Sequence, residues 1–244
     1  MPAGLLLILA FELSTANPAV DAALQATEAP QSLRAAFTVV LESDGAQREY
    51  RFDPRLEVGD RWQLVHERGE DPDLDEAASS WGADAAPDGR LFPDDLRPSL
   101  GTRVDVADLG AAWRIAFRHK PSLNDTDIDV WFADRVDAEA WLDPVSKRFL
   151  RIDYDLPRPV RGPEGGRLTQ FEQTYLLETE PNWGLSFVSS YSVSLEAKGG
   201  FRTFRRHYTA TVTAIEFFFA NEASQQEFEA GLQHSEAGRG LASR

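Results

Sequence analysis

Trp183-Gly184-Leu185-Ser186-Phe187-Val188-Ser189-Ser190-Tyr191-Ser192-Val193-Ser194-Leu195-Glu196 is the stretch that decides the fold. Trp183, Leu185, Phe187, Tyr191, Val193 and Leu195 share one parity, while Gly184, Ser186, Ser190, Ser192, Ser194 and Glu196 share the other. A period of two marks a strand with one apolar and one wet face. From Trp183 to Leu195, at about 3.3 Å per residue, the strand would run about 40 Å, well beyond the usual length.

The same period spreads outward in both directions. Gly199-Gly200 supplies a turn, and residues 201–219 read as a second long strand with Phe204, Tyr208, Ala210, Val212 and Ala214 inward. Upstream, Phe171, Gln173, Tyr175 and Leu177 alternate, as do Leu150, Ile152, Tyr154 and Leu156. Further sets are Val136, Ala138, Ala140 and Leu142; Ile128, Val130 and Phe132; and Trp113, Ile115 and Phe117. Trp62 with Leu64, Tyr50 with Phe52, and Ala35, Phe37, Val39 and Leu41 complete the pattern. Asp44-Gly45, Asp143-Pro144 and the run 162–166 are turn signals between them. About ten strands joined mainly by short turns predict a mostly β fold, an antiparallel meander apolar on one face.

Helical material is scarce. Residues 18–29 carry Val20, Ala23 and Leu24 at helical spacing behind Pro18. An insertion at 67–101 holds a helix over 72–81, with Asp71 as N-cap, Pro72 in the first turn, and Leu74, Ala77, Ala78 and Trp81 on one face. Residues 67–95 contain ten acids and two bases, which suits either a solvated loop or a lid. As a lid, Leu74, Trp81, Leu91 and Phe92 would lie against the sheet with the acids in water. A last helix is expected over 221–234, followed by a tail to residue 244.

Composition narrows the function. The chain has 244 residues, no cysteine and a net charge of −15. Disulfides, thiol chemistry and a Cys-linked lipid anchor are therefore excluded, and general affinity for nucleic acid is disfavoured. Leu5 to Phe11 is an apolar run followed by Ser14-Thr15-Ala16, so residues 1–16 read as a signal peptide. No Lys or Arg precedes the run and Glu12 closes it, which leaves an N-terminal core helix as the alternative. The expected destination is the periplasm, as a soluble, unanchored protein.

Long strands with aromatic residues on one side create an apolar surface larger than a soluble monomer leaves bare. The few helices look too small to plug a sheet of this size, so a cavity is expected. An acyl chain of about 15 methylenes gains on the order of 12 kcal/mol at about 0.8 kcal/mol each, before ordering losses. Candidate ligand contacts are Trp113, Phe117, Phe132, Ile152, Tyr154, Phe171, Tyr175, Trp183, Phe187, Tyr191 and Tyr208; ordinary core is the competing role for each.

The helix followed by Leu33-Arg34-Ala35-Ala36-Phe37-Thr38, then Gly59-Asp60-Arg61-Trp62-Gln63-Leu64-Val65, Trp141-Leu142-Asp143-Pro144-Val145-Ser146 and the long C-terminal hairpin resembles the LolA/LolB-like outer-membrane lipoprotein carriers. The resemblance spans residues 18–220 and implies a single domain over 17–220, an unclosed antiparallel β-barrel with a helical lid over an apolar cavity. It implies a lipid or lipoprotein acyl chain as partner, transient contact with a membrane or envelope protein, no cofactor and no catalysis. The family's latch arginine has no assigned counterpart, because alternation turns Arg114 and Arg118 outward.

Catalytic and metal signals are weak. Asp125-Thr126-Asp127-Ile128-Asp129 opens like a calcium loop, yet Val130 and Val136 stand where Gly and Glu belong. His66, His119, His207 and His234 form no ligand pair, and Ser186 has no nucleophile elbow. No catalytic residue and no metal are expected. A hydrolase using His66 or His119, and an envelope interaction module whose cavity is filled by its own helices, are the alternatives. Lys147-Arg148, Arg158–Arg167 and Arg202–Arg206 are locally basic. They suit a solvated strand face, or an anionic head group or membrane surface met at the cavity mouth.

Overall fold

The computed structural model describes residues 15, 17–30, 32–82, 91, 96–100, 103–120, 127–162, 165–200 and 202–231. The first half of the sheet comprises β1 (Leu33–Ser43), β2 (Ala46–Phe52), β3 (Trp62–Arg68), β4 (Val104–Asp108) and β5 (Trp113–Phe117). The second comprises β6 (Asp137–Asp143), β7 (Arg148–Asp155), β8 (Val160–Arg161), β9 (Arg167–Thr179), β10 (Ser186–Gly199) and β11 (Arg202–Phe219). Helices α1 (Pro18–Gln25), α2 (Pro72–Gly82), α3 (Leu96–Leu100) and α4 (Asp127–Ala133) accompany them, and residues 222–231 are also helical.

All strands join one antiparallel sheet in the order β3-β2-β1-β11-β10-β9-β7-β6-β5-β4, with β8 on β9. The ends β3 and β4 do not pair, so the barrel is unclosed, and helices cover its inner face. The mostly β, half-barrel fold that alternation predicts is the fold observed.

Two clusters fill the inner face. Under α2, Leu74, Ala77, Ala78 and Trp81 pack with Phe37, Val39, Leu41 and Phe52. Under α1 and α3, Val20, Ala23, Leu24, Leu96 and Leu100 pack with Ile115, Ala140, Leu142 and Ile152. Asn17 caps α1 through Oδ1, accepting from the amides of Ala19 and Val20. Asp71 does the same for α2, accepting from Asp73 and Leu74.

Several sequence expectations need correction, and most trace to β-bulges, where one unpaired residue exchanges the faces of the residues beyond it. Trp141 faces Arg151 and Leu142 faces Phe149, so Leu150 is skipped; Phe149 goes inward and Leu150 is exposed. Thr213 is skipped between β1 and β11. Ala214 therefore turns out and Ile215, Phe217 and Phe219 join the core. Val65 is skipped against β2, and on this edge strand Leu64 is exposed.

The remaining correction is one of type. Ile128, Val130 and Phe132 belong to α4 rather than a strand. Val130 is exposed while Phe132 meets Phe171 and Ala133 is buried, so adjacent residues face inward as helical geometry allows and alternation does not. Trp183 precedes β10, in a turn with Gly184 at φ +67°. The expected signal segment, apart from Thr15, and the tail beyond residue 231 lie outside the described residues, as does Phe92.

Candidate functional site

The strand ends of β9, β10 and β11 continue past the packed clusters, and α4 stands beside them. Between them opens a trough of about 890 Å³, within the range of small-molecule sites, about 300–1,000 Å³. Trp131, Phe132, Leu168, Phe171, Leu195 and Phe204 supply its apolar walls. Cross-strand register explains the lining: Leu195 faces Phe171, and Ala197 faces both Leu168 and Phe204. Phe132 meets Phe171 edge-on with centroids 4.4 Å apart, which joins α4 to the sheet. Arg135 lies over the Trp131 ring at 4.6 Å and donates to the Trp131 carbonyl.

The deep end is polar. Gln173 lines the trough, and its Nε2 donates to the hydroxyls of Tyr175 at 2.8 Å and Tyr191 at 3.1 Å. Tyr191 continues to Tyr208 with ring centroids 5.8 Å apart. Burial, with the neighbouring tyrosines adding to it, pushes the Tyr191 phenol far up. It therefore stays neutral and acts as a hydrogen-bonding group.

The open end is basic. Arg167, Lys198 and Arg202 line it, and no carboxylate does. Glu196 sits just outside, accepting from Arg205 at 2.8 Å and pairing with Lys198 at 3.3 Å. Arg205 first, then Thr169 and Lys198, hold its carboxyl down to about 2.

Of the residues expected to touch a ligand, Phe132 and Phe171 line this trough, and Tyr175 and Tyr191 stand behind Gln173. Tyr154, Tyr175, Tyr191 and Tyr208 form a chain of ring contacts across the sheet. Trp113, Phe117 and Ile152 belong to the packed region under α1 and α3. Phe187 packs on Phe217, and Trp183 packs on Phe219 and Phe228. Neither of these lines the trough.

The lid residues Leu74, Trp81 and Leu91 are each buried in the cluster under α2, and the Leu91 carbonyl accepts from the Val188 amide at 2.6 Å. Sequence reasoning misses Trp131, because alternation turns α4 into a strand. It also misses Arg48, although Ala46, Tyr50 and Phe52 of the same parity point inward. Arg48 is buried on the inner face of β2, 2.8 Å from Asp75 of α2. Its Nη1 donates to the carbonyls of Gln47, Arg68 and Gly69.

No family model, no curated protein and no solved structure matches this chain. Its own geometry is what speaks for it. His66 lies on edge strand β3 and His119 comes after β5 near the opposite edge, against Tyr154, so the two histidines share no site. Among the described residues no cluster of three His, Asp or Glu side chains is arranged to hold a metal ion.

Proposed function

We propose that this chain is a non-catalytic periplasmic binder of a lipid or other acyl-chain ligand, a LolA-like carrier whose cargo is a free lipid or the acyl chain of a lipoprotein. The trough beside α4 carries this reading: an open, mainly apolar cavity on the inner face of an unclosed sheet. Apolar burial supplies affinity without any reacting group. The few polar contacts fix orientation, as is usual in such sites. Chain purified gently from its own host should carry lipid detectable by native mass spectrometry. Chain that is empty, and that binds no fluorescent acyl probe after delipidation, would rule the reading out.

One observation favours a second reading, an envelope interaction module with a self-filled interior. The apolar face of α2 is packed solid against β1 and β2. Probe binding separates the two, because a self-filled module leaves no site for a chain.

A further inference from the structure

We infer that the ligand is a single-chain amphiphile whose head group is an anion, a phosphate or a carboxylate, set at the open end of the trough by Arg202 with Arg167 and Lys198. This rests on the acyl-binding reading above and adds the chemical class of the ligand.

Size sets the first limit. At about 30 Å³ for a water-sized group, a cavity of about 890 Å³ holds roughly 30 such groups. That is one acyl chain with its head group, and too little for a cluster of three chains.

Charge sets the second. The protein carries a net charge of −15, yet the lining holds three cations and no acid. Arg167 lies directly opposite both Arg161 and Lys198 in register, and like charges in that relation are unfavourable. Among the described residues no carboxylate pairs with Arg161, Arg167 or Arg202; Glu196 is taken by Lys198 and Arg205. An anion at this end relieves the repulsion. Arg202 shares its strand parity with Phe204 and with Arg206, whose guanidinium lies over the Phe204 ring at 5.4 Å. The inner face at the mouth therefore offers a ring for the first methylenes and a guanidinium fork for the head group.

Polarity along the trough sets the third limit. The apolar stretch from Leu168 to Phe171 lies between the cations and Gln173, so one end of the ligand must be charged and the middle must be greasy.

The test is displacement of a fluorescent acyl probe from the delipidated chain, read with four competitors: oleate, oleoyl lysophosphatidic acid, monooleoylglycerol and inorganic phosphate. Both anionic amphiphiles should compete at least about tenfold better than the neutral one, by charge-assisted hydrogen bonding. Arg202→Gln should shrink that ratio about tenfold, and Glu196→Gln, which frees Lys198 and Arg205, should widen it. Arg151→Gln on the outer face should leave the ratio unchanged. Oleate ahead of the lysophospholipid, or the reverse, identifies the source of the anion. Equal competition by neutral and anionic chains would overturn the head-group inference while leaving the carrier reading intact. Inorganic phosphate competing as well as the amphiphiles would overturn it as a free-anion site. Adsorption to phosphatidylglycerol vesicles without probe displacement would overturn it as a membrane-docking rim. Failure of every amphiphile to bind would remove the carrier reading itself.

Discussion

Arg48 on β2 and Asp75 on α2 meet at 2.8 Å, the arginine side chain 6% exposed and the aspartate 54%. The asymmetry decides what each mutation does. Removing Asp75 takes away a half-solvated partner and leaves Arg48 bound to three carbonyls. Removing Arg48 orphans those carbonyls and opens a gap beneath the helix. We expect Asp75→Asn to cost at most about 1 kcal/mol and Arg48→Ala to cost about 2 kcal/mol or more, by urea unfolding. In both variants amide exchange in residues 72–82 should quicken before that of β10, because α2 loses a tie to the sheet and β10 does not.

A row of acids crosses the outer face. Asp137 faces Asp155 and Asp155 faces Glu172 in register. Burial first, then Glu172 and Asp137, raise the Asp155 carboxyl above its ordinary value. A carboxyl with a raised folded pKa opposes folding when ionised, and the opposition fades as pH falls through that raised value. Glu172→Gln should therefore stabilise the protein by about 0.5 kcal/mol at pH 7. The gain should vanish near pH 3, where all three groups are protonated. A gain that persists at low pH would point to packing instead of charge.

The sheet and the lid helix are legible in the sequence because each has one dominant period. Leu74, Ala77, Ala78 and Trp81 name a helix face, and Val136 to Leu142 name a strand face; both sets are buried. What alternation cannot carry is the place where it skips. Leu150 and Ala214 escape it because a bulge is a pairing event with a partner strand, invisible in the bulged strand alone. α4 escapes it because Val130 and Phe132 fit a period of two as easily as a short helix does. The basic mouth is half legible. Arg167, Lys198 and Arg202 lie far apart along the chain, and only antiparallel register brings them together.

Asp71 links the β1–β2 hairpin to the lid. Its Oδ1 accepts from the amides of Asp73 and Leu74, and its Oδ2 accepts from the Ser43 hydroxyl. The Ser43 hydrogen bond, aided by those amides, holds the carboxyl below its ordinary value. Stability from a depressed carboxyl is present above the unfolded value, about 3.9, and is lost as pH falls through the folded one. Asp71→Ala should cost about 1 kcal/mol, constant from pH 7 to 5, with the difference from the parent shrinking only below about pH 4. Ser43→Ala should move that midpoint upward toward the ordinary value. A pH-independent difference would mean the loss comes from the helix start alone and not from the ionised cap.

Ala197 offers the sharpest separation of an open trough from a filled one. It lines the cavity between Leu168 and Phe204 and is neither fully buried nor tightly enclosed. A larger side chain there would enter empty space and lie against two cross-strand apolar partners, so the usual overpacking penalty does not arise. Ala197→Trp should leave stability within about 1 kcal/mol of the parent. It should also weaken acyl-probe binding by at least about tenfold, the loss of roughly two buried methylenes. Phe171→Ala should do the opposite in stability, costing about 3 kcal/mol or more because the ring is buried and braces Phe132. If Ala197→Trp unfolds the protein, the space it was meant to fill is already occupied. If it folds and binds the probe as the parent does, the ligand lies elsewhere on the sheet.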